Sequence, residues 1–175
     1  LIGTDLPKLD SVIKSTGAAT FTLDLREPGM VVAVVAHPPR FGSKPVGFDD
    51  SEARKVKGFI KAVMIPQGVA VYATSTWPAL KARKSLRVRW DDSAAFAKGS
   101  KRIEAEYRAL AQKPGVVAGV TGDAVAALTR AGDVIEQTFV FPYLAHAPME
   151  PLDAVVRFDG SKCWMSFGSK GPTID

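Results

Sequence analysis

Apolar residues in this chain come in short runs broken by turn-forming residues, and the spacing of those runs sets the expected elements. Met30 to Ala36 is a continuous valine-rich run ended by Pro38, Pro39 and Gly42. A run of that kind and length predicts a strand buried on both faces of a sheet. Phe59 to Ile65 and Val69 to Thr74 are two further β-rich runs, separated by Pro66-Gln67-Gly68, the pattern of a hairpin or of adjacent strands. Thr20 to Leu25 alternates and predicts a strand before the turn Arg26-Glu27-Pro28-Gly29, where Pro and Gly sit at the centre. Leu86 to Trp90 alternates apolar with basic side chains, as a half-exposed edge strand does. Val134 to Phe141 predicts a strand leading into Pro142, and Asp153 to Phe158 with Cys163 to Phe167 predicts a hairpin turning at Asp159-Gly160.

Helical signals lie between these runs. Asp49-Asp50-Ser51-Glu52 offers a cap and an acidic first turn for a short helix ending near Gly58. Ser75 or Thr76 caps a helix that opens on Trp77-Pro78 and continues to about Ser85, since a proline in the first turn lacks only a donor that is unpaired anyway. Ala94 to Gln112 is rich in helix formers and places Phe96, Ile103, Tyr107 and Leu110 on one face. Gly122-Asp123 introduces a compact helix over Ala124 to Thr129. Strands and helices alternate irregularly, which predicts a mixed α+β fold with short helices and a C-terminal β-hairpin rather than a doubly wound sheet.

Composition changes this picture little. The 175 residues suffice for one domain, or one and a piece of another, and 46% hydrophobic with 23% charged residues is ordinary for a globular chain. Cys163 is the single cysteine, so no internal disulfide forms, and its strand-like surroundings predict a buried small hydrophobe rather than a nucleophile. No apolar run approaches the length of a membrane span. The N-terminus carries neither an initiator methionine nor a signal-peptide pattern, so the chain is expected to be cut from something longer. The net charge is +5, and the basic residues cluster at Lys81 to Arg89 and at Lys98 to Arg108. Without a nucleic-acid motif, such clusters read as solvated faces, and no nucleic-acid partner is expected.

Candidate chemistry concentrates between Phe139 and Pro151. Pro142, Pro148 and Pro151 stiffen a corner between two apolar runs. That corner holds His146, one of only two histidines, and Glu150. His37, the other, sits where the Met30 to Ala36 run ends and reads as a surface or hydrogen-bonded residue rather than a ligand. No Gly-x-Gly-x-x-Gly, phosphate loop or Gly-x-Ser-x-Gly elbow is present, and two histidines with one cysteine do not make a zinc site without carboxylates. His146 and Glu150 could act as acid and base, but by themselves they lack partners; a brace in which Glu150 accepts backbone N–H bonds is the favoured role.

Several segments together resemble the molybdenum hydroxylase large subunits, the xanthine dehydrogenase and aldehyde oxidase family. Lys14-Ser15-Thr16-Gly17 followed by Pro28-Gly29-Met30 resembles the opening of that family's a/b hammerhead domain. Val69-Ala70-Val71-Tyr72-Ala73 before Trp77-Pro78-Ala79-Leu80-Lys81 resembles its later strand and helix. Tyr143 to Pro151, containing Ala145-His146-Ala147-Pro148-Met149-Glu150-Pro151, is similar to the junction entering the molybdopterin-binding portion, and Cys163 to Pro172 to the strand after it. With Pro38-Pro39-Arg40-Phe41-Gly42 and Gly171-Pro172-Thr173-Ile174-Asp175, the nearest type is the isoquinoline 1-oxidoreductase beta subunit. Lys170 stands where the family often has glutamine.

The resemblance implies an a/b hammerhead-like domain over residues 1–132 and, over residues 133–175, a strand and hairpin opening the molybdopterin-binding region. It implies a fragment of an oxidoreductase that hydroxylates an N-heteroaromatic ring or an aldehyde carbon with oxygen from water. The partners implied are the rest of the large subunit and an iron–sulfur small subunit. His146 and Glu150 would then lie near the molybdopterin, whereas the chain alone would hold no cofactor and be inactive. The alternative is a stand-alone binding or scaffold module whose basic face, Lys81 to Arg89, meets an acidic partner.

Overall fold

In a computed structural model of the protein, which describes residues 2–171, 173 and 174, the mixed α+β expectation holds. Leu1, Pro172 and Asp175 lie outside the described residues, so the Gly171 to Asp175 motif is described only in part. The chain divides into two compact units, Met30–Phe139 and Leu1–Gly29 with Val140–Asp175, the latter containing a short helix α1 (Ser11–Ser15).

In the Met30–Phe139 unit, β1 (Val32–Ala36), β3 (Phe59–Ile65) and β4 (Gly68–Ala73) form an antiparallel sheet in the order β1-β4-β3. Ile65 pairs with Gly68, so Pro66-Gln67 is a two-residue hairpin loop. The β1 run was expected to be the strand covered on both faces. Instead β4, buried at Val69, Ala70, Val71 and Ala73, takes the centre, and β1 is an edge strand with Ala33 exposed. Both runs are equally apolar; which one is enclosed depends on the partners each finds, and only β4 finds two. Helix α2 (Thr76–Ser85) packs on β1 and β4 through Ala79 and Ala82, both fully buried. These lie three apart on one helical face, and their single methyl groups let the helix sit close to the sheet.

A second antiparallel pair joins β2 (Lys44–Asp49) to β5 (Arg87–Asp91). The β5 expectation is met, with burial alternating along the strand. Strand β2 replaces part of the helix expected over 48–58. Pro45 made it unreadable as a strand, and the ladder tolerates that proline because β2 pairs on one side only and is bulged between Pro45 and Gly47. After β2, the Asp49 carboxylate accepts the Ser51 N–H at 2.9 Å and the chain makes only a short 3₁₀ turn, Ala53–Lys55. Helix α3 runs over Ser100–Ala111, shorter than the expected 94–112, because Gly99 lies at its cap with extended backbone. Phe96 therefore precedes the helix and bonds Phe41 through its backbone instead, N–H to O at 2.7 Å. Helix α4 (Ala124–Arg130) starts as expected, its Asp123 side chain accepting the Ala126 N–H at 2.9 Å.

Three further expectations are corrected. Val134 to Phe141 forms no strand; Ile135 and Phe141 are exposed at 97% and 83%, and β propensity without a strand ladder to join does not make a strand. Thr20 to Leu25 is a 3₁₀ turn at Thr22–Asp24, with the Asp24 carboxylate accepting the Phe21 N–H at 2.9 Å. Cys163 is exposed, not buried. It begins β7 (Cys163–Ser166), which pairs with β6 (Val155–Phe158) as a two-stranded ribbon, and a ribbon with no layer packed on it buries neither face. The expected hairpin itself is present, but its loop is the four residues 159–162 rather than a two-residue Asp-Gly type I′ turn: Phe158 pairs with Cys163, the Asp159 N–H reaches Lys162 O at 3.2 Å, and the Asp159 carboxylate accepts from the Ser161 and Lys162 N–H groups.

Candidate functional site

The corner holding His146 and Glu150 lies in the Leu1–Gly29 and Val140–Asp175 unit. Ala147, between His146 and Pro148, has φ +39, the one positive value at a non-glycine among the described residues. A proline disfavours compact conformations in the residue before it, so this backbone is doubly strained. The chain bends just after it, at Met149 and Glu150. His146 is exposed, and among the described residues it makes no hydrogen bond or ion pair.

Glu150 is half-buried, and its Oε1 accepts the Thr22 N–H at 3.4 Å. Thr22 is buried at 9% exposure, so the carboxylate satisfies a donor that water does not reach freely. Glu150 Oε2 stands 3.7 Å from where a side chain on Gly168 would begin, so a glycine there leaves the carboxylate room. The 3₁₀ turn, the proline corner and the chain after β7 thus meet at one carboxylate. Thr22 and Gly168 were missed in the sequence because nothing local links Thr22 to a residue 128 positions away.

Glu150 engages a backbone donor here rather than the imidazole. No hydrogen bond or ion pair joins His146 to Glu150, and among the described residues no group of three His, Cys, Asp or Glu could hold a metal ion. His37 is exposed at the end of β1, in the other unit. An open depression of about 390 Å³ on the Met30–Phe139 unit is lined by Lys44, Pro45, Met64, Ile65 and Pro66. It offers no carboxylate or imidazole. Among the described residues no helix is long and apolar enough to cross a membrane.

The brace sets an order of effects. Glu150→Gln keeps an oxygen acceptor for Thr22 and should cost less than about 0.5 kcal/mol. Pro148→Ala frees the unfolded chain and should cost about 0.4–1 kcal/mol. Glu150→Ala strands the Thr22 N–H and should cost about 1–3 kcal/mol. Denaturant melts of the three variants test this; a glutamine variant as unstable as the alanine one would show that the negative charge, not the acceptor atom, matters.

No family model matches the chain. It is 31% identical over 189 aligned residues to isoquinoline 1-oxidoreductase subunit beta of Brevundimonas diminuta, covering 100% of this chain and 24% of that protein. It is 32% identical over 166 residues to the membrane-bound aldehyde dehydrogenase [pyrroloquinoline-quinone] of Gluconacetobacter polyoxogenes, covering 89% and 22% respectively. Its fold is similar to that of quinoline 2-oxidoreductase from Pseudomonas putida 86, with a TM-score of 0.59 at 17% identity over 94% of this chain and 26% of that one. The chain spans about a quarter of the length of the curated relatives it matches.

Proposed function

We propose, from the premise that this chain belongs to the molybdenum hydroxylase large-subunit family, that it works as part of a longer subunit which hydroxylates an N-heteroaromatic ring or an aldehyde carbon with oxygen from water. Residues 1–132 serve as the a/b hammerhead-like domain, and residues 133–175 open the molybdopterin-binding region. The observation that carries this reading is the match over the whole chain to a subunit about four times as long. An iron–sulfur small subunit receives the electrons, and the rest of the large subunit completes the site.

The described residues do not form a seat for molybdopterin by themselves. His146 is exposed, Glu150 is engaged with Thr22, and no cluster of ligand side chains accompanies them. No chemical step is therefore assigned to this chain. When bound, the cofactor supplies the redox chemistry, and the protein's part is orientation and electrostatics. In the longer subunit His146 and Glu150 stand in the wall beside the cofactor, with Glu150 holding the corner in shape and His146 presenting its ring.

Two measurements test the reading. The purified 175-residue chain should show no hydroxylase turnover and no stoichiometric molybdenum by elemental analysis; either would overturn it. An antibody raised against the chain should recover from native cells a polypeptide several times longer, carrying molybdenum together with an iron–sulfur protein. Recovery of that polypeptide with pyrroloquinoline quinone and no molybdenum would sink the proposal and favour the chemistry named for the aldehyde dehydrogenase relative.

A further inference from the structure

The two basic clusters are not alike. On and before α3 three of the four cations are matched: Lys98 and Arg102 pair with Glu106 at 2.5 and 3.1 Å and Arg108 with Glu104 at 2.8 Å, while Lys101 closes no ion pair among the described residues. Lys81, Arg83, Lys84, Arg87 and Arg89 are all exposed, and among the described residues none of them closes an ion pair. These five cations lie within nine residues, and one of them, Arg87, faces Asp49 across the β2–β5 register.

The fold keeps these charges together and points most of them outward. Ala79 and Ala82 mark the buried face of α2; Trp77, Lys81 and Lys84, at i, i+4 and i+7, fall on the opposite side. Only Ser85 and Leu86 stand between Lys84 and Arg87, so their backbones cannot lie more than about 11 Å apart. Arg87 and Arg89 then share the exposed face of β5, which alternates with half-buried Val88 and Trp90. Arg89 is held across the bare backbone of Gly47, its Nη2 2.5 Å from where a side chain would start. A stable site for these cations is therefore built into two packed elements rather than a loose tail.

We propose that the outer face of α2 and β5 is a docking surface for an acidic protein segment. Charge complementarity selects an acidic partner. The surface disfavours nucleic acid on two counts. Carboxylates are interspersed: Asp49 lies opposite Arg87 in the β2–β5 register, and Asp91 opposite Lys44. The Asp49 carboxyl is held below its ordinary range, first by the Ser51 N–H and to a lesser extent by Arg87, so it is charged at neutral pH and would repel a continuous phosphate backbone. The exposed ring of Trp77, a potential stacking platform for a base, already carries the Lys81 ammonium 5.1 Å from its centre. A protein segment with spaced carboxylates fits such a mixed pattern. The surface is independent of the cofactor reading and stands whether or not that reading holds.

The test uses the whole 175-residue chain with two labelled probes, poly-L-glutamate and a short DNA duplex, titrated by anisotropy at about 50 and about 300 mM salt, on either side of the screening regime for exposed charges. Poly-glutamate should bind more tightly than DNA and weaken strongly with salt. Replacing Lys81, Lys84, Arg87 and Arg89 together by glutamate should weaken poly-glutamate binding at low salt by at least about tenfold. Replacing Lys98, Arg102 and Arg108 by glutamine should change it by less than about threefold, with folding of both variants checked by circular dichroism. DNA binding tighter than poly-glutamate, equal losses in the two variants, or no salt-sensitive binding would each overturn the proposal. Should the fourfold variant misfold, single Lys81→Gln and Lys84→Gln variants, both on the solvent side of α2, take its place, and an absence of loss in either would count against the surface.

Discussion

Replacing Gly68 by alanine should destabilise the protein by about 3 kcal/mol or more. Gly68 opens β4 at φ +149, a conformation side chains rarely adopt, and a Cβ there would overlap the carbonyl oxygen of Ala36. That oxygen is backbone of β1, the neighbouring strand, where Ala36 pairs with Val69. A flexible side chain could step aside; a paired strand cannot without opening the sheet. The comparison is Gly115→Ala, where no atom lies within 4 Å of the added carbon and the cost should stay within about 0.5 kcal/mol. Urea melts of both variants decide the matter, and a loss at Gly68 below about 1 kcal/mol would mean that β1 does not approach β4 as closely as described.

Val71→Ala should cost about 2 kcal/mol, the transfer of two methyl groups and a residual cavity. Val71 is fully buried at the middle of β4, paired with Val34 on one side and Ala62 on the other, and packed with Ala53 of the 3₁₀ turn and Ala82 of α2. Three of the surrounding residues, Ala53, Ala62 and Ala82, are alanines with no longer side chain to extend into the space, while Phe59 and Leu86 pack against the same cluster. Val63→Ala on β3 removes the same atoms from a position 39% exposed and should cost less than half as much. The readout is a drop in the denaturation midpoint without a change in slope, which marks lost packing rather than a changed unfolded state. Equal losses at the two valines would show that β4 is not the centre of the core.

Much of the local architecture was legible because it depends on neighbours in sequence. The Pro66-Gln67 turn, the Asp123 cap, the Asp159 turn and the alternation of β5 are each decided within a few residues. The family, too, was legible, because its motifs are short words in a preserved order. The candidate site was half legible. Its proline corner and Glu150 could be picked out, but the use of Glu150 as an acceptor for Thr22 could not, since that bond closes over 128 residues.

The sequence by itself determined helices α2 and α4, the alternating strand β5, the Pro66-Gln67 turn, the basic charge, and the stiffness of the corner at Pro148, because each follows from side-chain shape and φ/ψ preference within one short stretch. Only the tertiary structure decided that β4 and not β1 is enclosed, that Val134 to Phe141 forms no strand, that Cys163 is exposed, and that Lys98, Arg102 and Arg108 close ion pairs whereas Lys81, Arg83 and Lys84 do not. Each of these turns on partners far away in the chain. A run of valines has the same affinity for a sheet wherever it stands, and a lysine the same charge; what differs is whether another strand or another carboxylate arrives beside it.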